Sequence, residues 1–435
     1  MEHQDILDRV KRIHFIGIGG SGMCPLAEIL HSRGYILTGS DVSESDTLER
    51  IRSYGIPVMM GHKTENIKGA ELVVYTAAAK QDNPELVAAR EQGIPTMERS
   101  VMLGVVTRQY ADTVAVSGTH GKTSTTAMLT QILVNSGKDP SAIIGGKLPF
   151  IGGNGRIGKS EIMVCEACEY VDTFLQLTPA VSIILNVDAD HLDYFKDLEH
   201  IIRSFHQFAG QTTKALVVNG DDPNALKAVE GLSLPVITFG LGKKNDYYAA
   251  EVAATAGVRE HFILVHKGEK LTEISLSVPG KHNIYNALAA AAAAHYLGVG
   301  PEDIAFSLHQ FTGVHRRFEI LGRPNEIVIA DDFAHHPTEL TATLTAAMQM
   351  GFQTVWAVFQ PHTFSRTYLL MDDFAKALRI PDRVVMSEIL PVRETNTYNV
   401  HTKDLADKVP GSVWFDTFEE ITEYIVAHAK PGDLV

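Results

Sequence analysis

Short apolar runs alternate along this chain with stretches whose apolar residues recur at helical spacing. Near the start, "RIHFIGIG", "YILTGSD", "PVMMG", "ELVVYTAAA" and "PTME" read as strands. Between them "MCPLAEILHSRG", "TLERIRSYG" and "PELVAAREQG" read as helices. Strands and helices in this order build βαβ units, so the pattern predicts a parallel sheet with helices on its faces.

A second unit opens at "DTVAVSGTHGKTSTTAMLTQILVNSG", a strand, a glycine turn and a long helix. "EIMVCEA", "VSIILNV", "KALVVNGDD", "PVITFG", "HFILVH" and "EISLSV" follow as strands. "NIYNALAAAAAAHYLG" predicts a helix of small side chains, suited to close packing against a sheet. A third unit runs from "EIVIADDFAHHPTELTATLTAAMQM" through "TVWAVFQ", "FSRTYLLMDDFAKAL", "RVVMSEI" and "VWFD". The closing "KPGDLV" reads as a strand beginning, so a short further C-terminal piece is expected.

At 435 residues the chain exceeds one ordinary core, and at roughly 100 to 200 residues per domain it holds two to four. The breaks in the pattern favour three, over 1–109, 110–312 and 313–435. All three are expected to be α/β, the central one a P-loop ATPase-type domain and the outer two Rossmann-like. Composition is that of a soluble globular protein, 45% apolar and 21% charged. Its 52 acidic against 38 basic residues give a formal charge of −14, which opposes a general nucleic-acid or anionic-membrane surface. No apolar run approaches a membrane span, the opening "MEHQDILDRVKR" is too charged for a secretory signal, and three cysteines suit a reducing compartment. A cytoplasmic location is expected, with no membrane or nucleic-acid partner. Cys165 and Cys168 form a C-x-x-C, but a second ligand pair is missing, so two small residues beside an important glutamate is the favoured reading.

Two glycine turns carry the chemistry. "GTHGKTS", with Thr119 in its loop, follows a strand and opens a helix, so the amides of Gly118, His120, Gly121 and Lys122 can wrap a triphosphate. Lys122 then offsets β/γ charge, Thr123 offers a hydroxyl to Mg²⁺, and Ser124 continues the helix start. The match to G-x-x-x-x-G-K-[ST] is imperfect, because Val116 stands at the first glycine position. The earlier turn, Gly17, Gly19, Gly20, Ser21 and Gly22, spells G-x-G-x-x-G, with Asp41 closing the next strand where a ribose is often bound. Such a turn accepts any diphosphate ester, so NAD and a UDP-sugar both stay open.

Further candidates lie at strand ends, where an open α/β sheet forms its ligand crevice. Glu166 ends "EIMVCE" and His191 follows "SIILNV"; both are placed to meet a metal beside the P-loop. Asn283 and Asn286 in "GKHNIYN" can read an adenine edge, or an asparagine there can simply cap the helix. "HRRFE" and "DDFAHHPTEL" bring Arg316, Arg317, Asp331 and Asp332 toward a nucleotide, and "FQPHTFSRTY" adds His362 and Arg366.

Taken in order, G-x-G-G-S-G-M, G-T-H-G-K-T, E-A-C-E, D-H-x-D-Y-F, H-N-x-x-N, H-R-R-F-E, D-D-F-A-H-H-P-T-E and Q-P-H-T-F-S-R-T resemble the Mur ligases of peptidoglycan synthesis. The resemblance implies a UDP-binding domain, an ATPase domain and a C-terminal domain that closes on the nucleotide. It implies an ATP-dependent ligase acting through an acyl phosphate on UDP-N-acetylmuramate, with L-alanine as the amine, as a monomer or weak homodimer. Carried over by position, Lys122 binds β/γ phosphates and Thr123, Glu166 and His191 hold Mg²⁺. Asn283 and Asn286 contact adenine, Arg317 and Asp332 the nucleotide, and His362 with Arg366 the alanine side. Thr363 departs from relatives that place arginine there. His206 stands in "RSFHQF" where sister ligases carry a carbamoylated lysine, so no carbamate is expected. The rivals are a sister ligase that adds another amino acid or a peptide, an NAD-dependent oxidoreductase, and a non-enzymatic ATP-binding switch.

Overall fold

The computed structural model describes residues 6–191, 194–255, 259–392 and 394–435. Its first sheet has five parallel strands, β1 (Arg12–Ile16), β2 (Ile36–Asp41), β3 (Val58–Met60), β4 (Leu72–Tyr75) and β5 (Thr96–Glu98), in the order β3-β2-β1-β4-β5. The chain reverses its direction of travel between β1 and β4, so the crevice opens at the end of β1, where the first glycine turn stands.

A second sheet of ten strands follows. It comprises β6 (Asp112–Ser117), β7 (Ser141–Leu148), β8 (Gly153–Arg156), β9 (Ile162–Glu166), β10 (Val181–Ile184), β11 (Ala215–Asn219), β12 (Val236–Gly240), β13 (Tyr247–Thr255), β14 (Arg259–His266) and β15 (Glu269–Ser275). Their order is β15-β14-β13-β12-β11-β10-β6-β9-β7-β8, parallel from β13 through β7 and antiparallel at both margins. Residues of β6, β10 and β11 are almost wholly buried, as a parallel sheet covered on both faces requires. The alanine-rich helix Lys281–Tyr296 buries Ala287 through Ala294 against this sheet and the helix Lys122–Asn135. Methyl side chains let the two helices approach closely.

The last part pairs β16 (Glu319–Gly322) with β17 (Ile329–Asp331) and forms a parallel sheet of β18 (Trp356–Phe359), β19 (Arg383–Ser387) and β20 (Val413–Phe415). Leu434 of "KPGDLV" bridges both Val328 and Val355, so this run adds strand-like pairing beside β18. "FSRTYLLMDDFAKAL" forms two helices, Phe364–Leu369 and Met371–Ala377, broken at Leu370. The helix Arg99–Thr107 and strands β7, β8 and β13 are elements that the apolar pattern does not announce. Among the described residues no helix is long and apolar enough to cross a membrane.

Arg50 ties the first sheet's layer to the second. Its guanidinium pairs with the buried carboxylate of Glu28 through Nε and, at 3.1 Å, Nη2, and donates to the carbonyls of Gly152 and Gly155 at 3.2 and 3.3 Å. A Cβ on Gly153 would overlap the guanidinium, so only glycine permits this approach. Arg50→Ala is expected to destabilise the fold by about 3 to 5 kcal/mol, because Glu28 would be left as an unpaired buried charge. Urea unfolding reads this, and Glu28→Gln in the same background should recover part of the loss.

Candidate functional site

The loop after β6 is a tight glycine turn that runs into a helix start. Gly118 has φ +140° and Gly121 φ +87°, and Gly121 caps the helix that Lys122 begins. A Cβ on Gly121 would come 2.4 Å from Oδ1 of Asn286, and one on Gly118 would come 2.8 Å from Leu185. Glycine is therefore required twice, by conformation and by space. The loop is pinned by Asn186, whose Oδ1 accepts the His120 amide at 2.8 Å and whose Nδ2 donates to the His120 carbonyl at 3.0 Å.

A cavity of about 920 Å³ opens over this loop. The second sheet contributes its strand ends: Thr123 after β6, Glu166 at the end of β9, and Asp188, Asp190 and His191 after β10. The same cavity reaches Ser21 and Thr47 on the first sheet's side and Arg317, Asp332 and Glu339 on the last part's side. Of the sequence-derived residues, the structure brings Thr119 through Ser124, Glu166, His191, Asn283, Asn286, Arg317, Asp332 and Ser21 to this one space. His362 and Arg366 stand apart from its walls: Arg366 Nη2 donates to Asp190 at 3.3 Å, and the His362 ring lies 5.4 Å from that of His335. Thr363, with φ +70°, caps the helix that carries Arg366.

Several carbonyl and carboxylate partners differ from the sequence reading. Asp41 is turned inward: Oδ2 accepts the Gly19 amide at 2.9 Å and Oδ1 the Val42 amide at 2.8 Å, so it shapes the glycine turn. Gly17, at φ +75°, leaves no room for a Cβ beside Thr76, and Gly22 faces Arg99. Asp332 takes the amides of Phe318 and Ala334, both at 2.8 Å, and burial raises its pKa. Asn283 donates to the Pro279 carbonyl at 2.7 Å and accepts from Asn286 at 3.1 Å, while Gly280, not an asparagine, caps that helix. Cys165 and Cys168 are free thiols, and burial pushes Cys165 up to about 12.

Glu166 fits a hard cation. Its Oε1 accepts the Gly145 amide at 2.5 Å, in a cradle that a Cβ on Gly145 would fill, and Thr123 adds a hydroxyl to the same cavity. The His191 ring nitrogen faces Glu169 at 3.9 Å and Asp190 at 3.8 Å. Leu192 and Asp193 of the D-H-x-D-Y-F run lie outside the described residues. A different trio, His120, Asp188 and His336, brings its ligand atoms within 4.8 Å of one another. Nδ1 of His336 accepts the Thr338 amide at 3.3 Å, which leaves the proton of the neutral ring on Nε2, so neither nitrogen offers a free lone pair to a metal.

Three charged residues escape the sequence reading. Glu169, the second acid of E-A-C-E, is buried and pairs with Lys122. Burial opposes the Lys122 charge, but the carboxylates of Glu169 and Glu166 outweigh it and raise its pKa. Asp188 and Glu339 flank His120, whose pKa rises to about 9 although burial works against its charge. The signal for Glu169 was present as a repeated acid three residues past a strand-end acid. Glu339 gave none, since its partner lies more than two hundred residues away.

Comparisons with known proteins cover the whole of this architecture. Family models match three successive segments: "Mur ligase family, catalytic domain" over residues 12–111, "Mur ligase middle domain" over 116–294, and "Mur ligase, glutamate ligase domain" over 316–435. A UDP-N-acetylmuramate--L-alanine ligase of Acetivibrio thermocellus is 45% identical, covering 100% of this chain and 95% of that protein. One of Clostridium tetani is 40% identical, covering 99% and 96%. The crystal structure of UDP-N-acetylmuramate-alanine ligase from Thermotoga maritima superposes with a TM-score of 0.81 at 29% identity, covering 97% of this chain and 94% of that one. A murein peptide ligase from Psychrobacter arcticus gives 0.75 at 25% identity, covering 98% and 94%. With the glycine loop after β6, the strand-end acids and most of the cavity lining falling inside these matched segments, the chain belongs to the Mur ligase family.

Proposed function

We propose that this chain is an ATP-dependent ligase that joins L-alanine to the lactyl carboxylate of UDP-N-acetylmuramate, releasing ADP and phosphate, in peptidoglycan synthesis. The observation that carries the reading is the single cavity reaching from Ser21 beside the first glycine turn, over the P-loop, to Arg317 and His335. Three substrates of such a reaction need one chamber, and relatives sharing 40–45% identity along the chain bear the name of that reaction. In this reading residues 1–109 hold the UDP end, 110–312 hold ATP, and 313–435 close over nucleotide and amino acid.

A carboxylate is a poor acylating agent, so the ligase first makes it an acyl phosphate and then admits the amine of L-alanine. Little covalent chemistry falls to the protein; it positions the partners and offsets charge. In this reading the amides of Gly121 and Lys122 at the helix start receive the phosphates, and the Lys122 ammonium, which Glu169 holds in the free protein, offsets their charge. Thr123, Glu166 and His191 would hold Mg²⁺, which when bound offsets charge on the phosphate oxygens. Asn283 and Asn286 lie on the adenine side, and Arg317 and Asp332 beside the nucleotide. Arg366 is the cation for the alanine carboxylate, which would take the place that Asp190 holds on it, with His362 next to it. Gly17, Gly19, Gly20, Ser21 and Gly22 cradle the diphosphate of the sugar nucleotide, and Asp41 holds that turn in shape.

Phosphate release in the presence of ATP, Mg²⁺ and UDP-N-acetylmuramate is expected to be fastest with L-alanine, slower with glycine or L-serine, and slowest with a peptide. Release no faster with L-alanine than with no amine would overturn the reading, and a preference for the peptide would favour a sister ligase.

A further inference from the structure

An ammonium has three N–H bonds, and those of Lys122 are all taken. Nζ lies 2.5 Å from the Gly118 carbonyl, 3.1 Å from the Thr119 carbonyl, and 2.9 and 3.1 Å from the two carboxylate oxygens of Glu169. Glu169 is 2% exposed, so its carboxylate is largely shielded from solvent and salt, while Lys122 borders the cavity. Two of the partners belong to the P-loop itself and cannot leave without unfolding it. The third is an anion, and a phosphate must take its place to reach Lys122.

Charge around the pair sharpens the point. Glu166, Asp188 and Asp190 already line the cavity, and its cations Lys147, Arg316 and Arg317 stand beside acids of their own, Asp46, Asp331 and Glu339, so a bare triphosphate meets carboxylates there too. Glu169 also lies 3.9 Å from Nε2 of His191, on the side where the metal-holding groups stand. We propose that Glu169 is a positioning residue that stands in for phosphate on Lys122 and couples nucleotide binding to Mg²⁺. It keeps Lys122 charged and held in the loop until a nucleotide arrives with a cation able to offset the carboxylates. Released from Lys122, Glu169 turns toward His191. This rests on the reading that the loop binds ATP.

The test is equilibrium binding of a non-hydrolysable ATP analogue, adenylyl imidodiphosphate, to the full chain by calorimetry, once with EDTA and once with Mg²⁺. Glu169→Gln is expected to bind the analogue at least about tenfold more tightly than wild type in EDTA, as removing one buried like charge implies. With Mg²⁺ the two should agree within about threefold, since the cation already offsets that charge. Glu169→Asp keeps the charge and should keep the wild-type dependence on Mg²⁺. Glu169→Ser is a second neutral variant with the same expectation if the glutamine form fails to fold. A neutral variant that binds equally or more weakly in EDTA, or loses the same factor in both conditions, overturns the proposal and leaves Glu169 as scaffold for the loop. Wild-type protein that binds no analogue in either condition removes the ATP reading and the proposal together, whereas wild-type binding with an unchanged neutral variant removes the proposal alone.

Discussion

Lys122→Ala is expected to cut ATP-dependent phosphate release by at least about a hundredfold, the scale seen when one charge-stabilising donor is removed from an active site. The same change should also cost stability. Glu169 pairs with Lys122 at 2.9 Å and is almost fully buried, so truncating the lysine leaves an uncompensated carboxylate, a loss of about 3 to 5 kcal/mol. A drop in activity alone would therefore be ambiguous between lost chemistry and lost fold. Pairing Lys122→Met with Glu169→Gln separates the two, because the double variant buries no orphaned charge. Its urea midpoint should return toward wild type while phosphate release stays low. Recovery of turnover in the double variant would show that Lys122 serves the fold and not the phosphates, and an unaltered midpoint in Lys122→Ala would show that the buried pair contributes nothing.

That prediction separates what is local in the sequence from what is not. Lys122, Thr123 and Glu166 were legible because a strand, a glycine turn and a helix start fix their positions within a few residues. The pairings were not legible: Glu169 stood out as a second acid, but that it meets Lys122 from just past the neighbouring strand, or that Arg366 meets Asp190 from a separate part of the chain, exists only in the fold. Asp41 shows the same limit from the other side: its place after β2 is that of a ribose ligand, yet its carboxylate is spent on Gly19 and Val42. Among the elements, the buried parallel strands announced themselves as apolar runs. Strand β7 passes through Gly145 and Gly146, and β13 through alanines, so neither offers the bulky alternation that marks a strand. Gly145 and Gly146 are small because Glu166, Val314 and Thr123 press against them, a reason that exists only in three dimensions.

Raising the pH from about 7 toward 10 is expected to weaken the hold of the helix Pro337–Met348 on the glycine loop that carries His120, and Glu339→Gln is expected to remove most of that dependence. His120 stands between two carboxylates, with Asp188 3.7 Å from Nε2 and Glu339 3.4 Å from Nδ1. Burial opposes the imidazolium, but the two acids outweigh it and raise the pKa to about 9, while Lys122 works in the opposite sense. The other charged and titratable neighbours are His336, whose ring is 4.9 Å away, and Arg317 and His335, which share Glu339 at 3.9 and 3.6 Å. Burial works against the Glu339 charge, and His120, His335 and Arg317 hold its pKa well below the usual range. A free histidine titrates near ~6.5. With its folded value raised, His120 contributes in full below about 6.5, and that contribution is lost as the pH climbs through about 9. Between those limits stability should fall by up to about 1.4 kcal/mol per pH unit, the slope of one proton. Glu339→Gln keeps the shape but leaves Asp188 alone to hold the charge, so it should cost about 2 kcal/mol near neutrality and progressively less as the pH rises. Urea midpoints of the two proteins across this range read the difference directly. A gap that stays constant with pH would mean that His120 is neutral in this contact and that the loop and the helix are held together by packing instead.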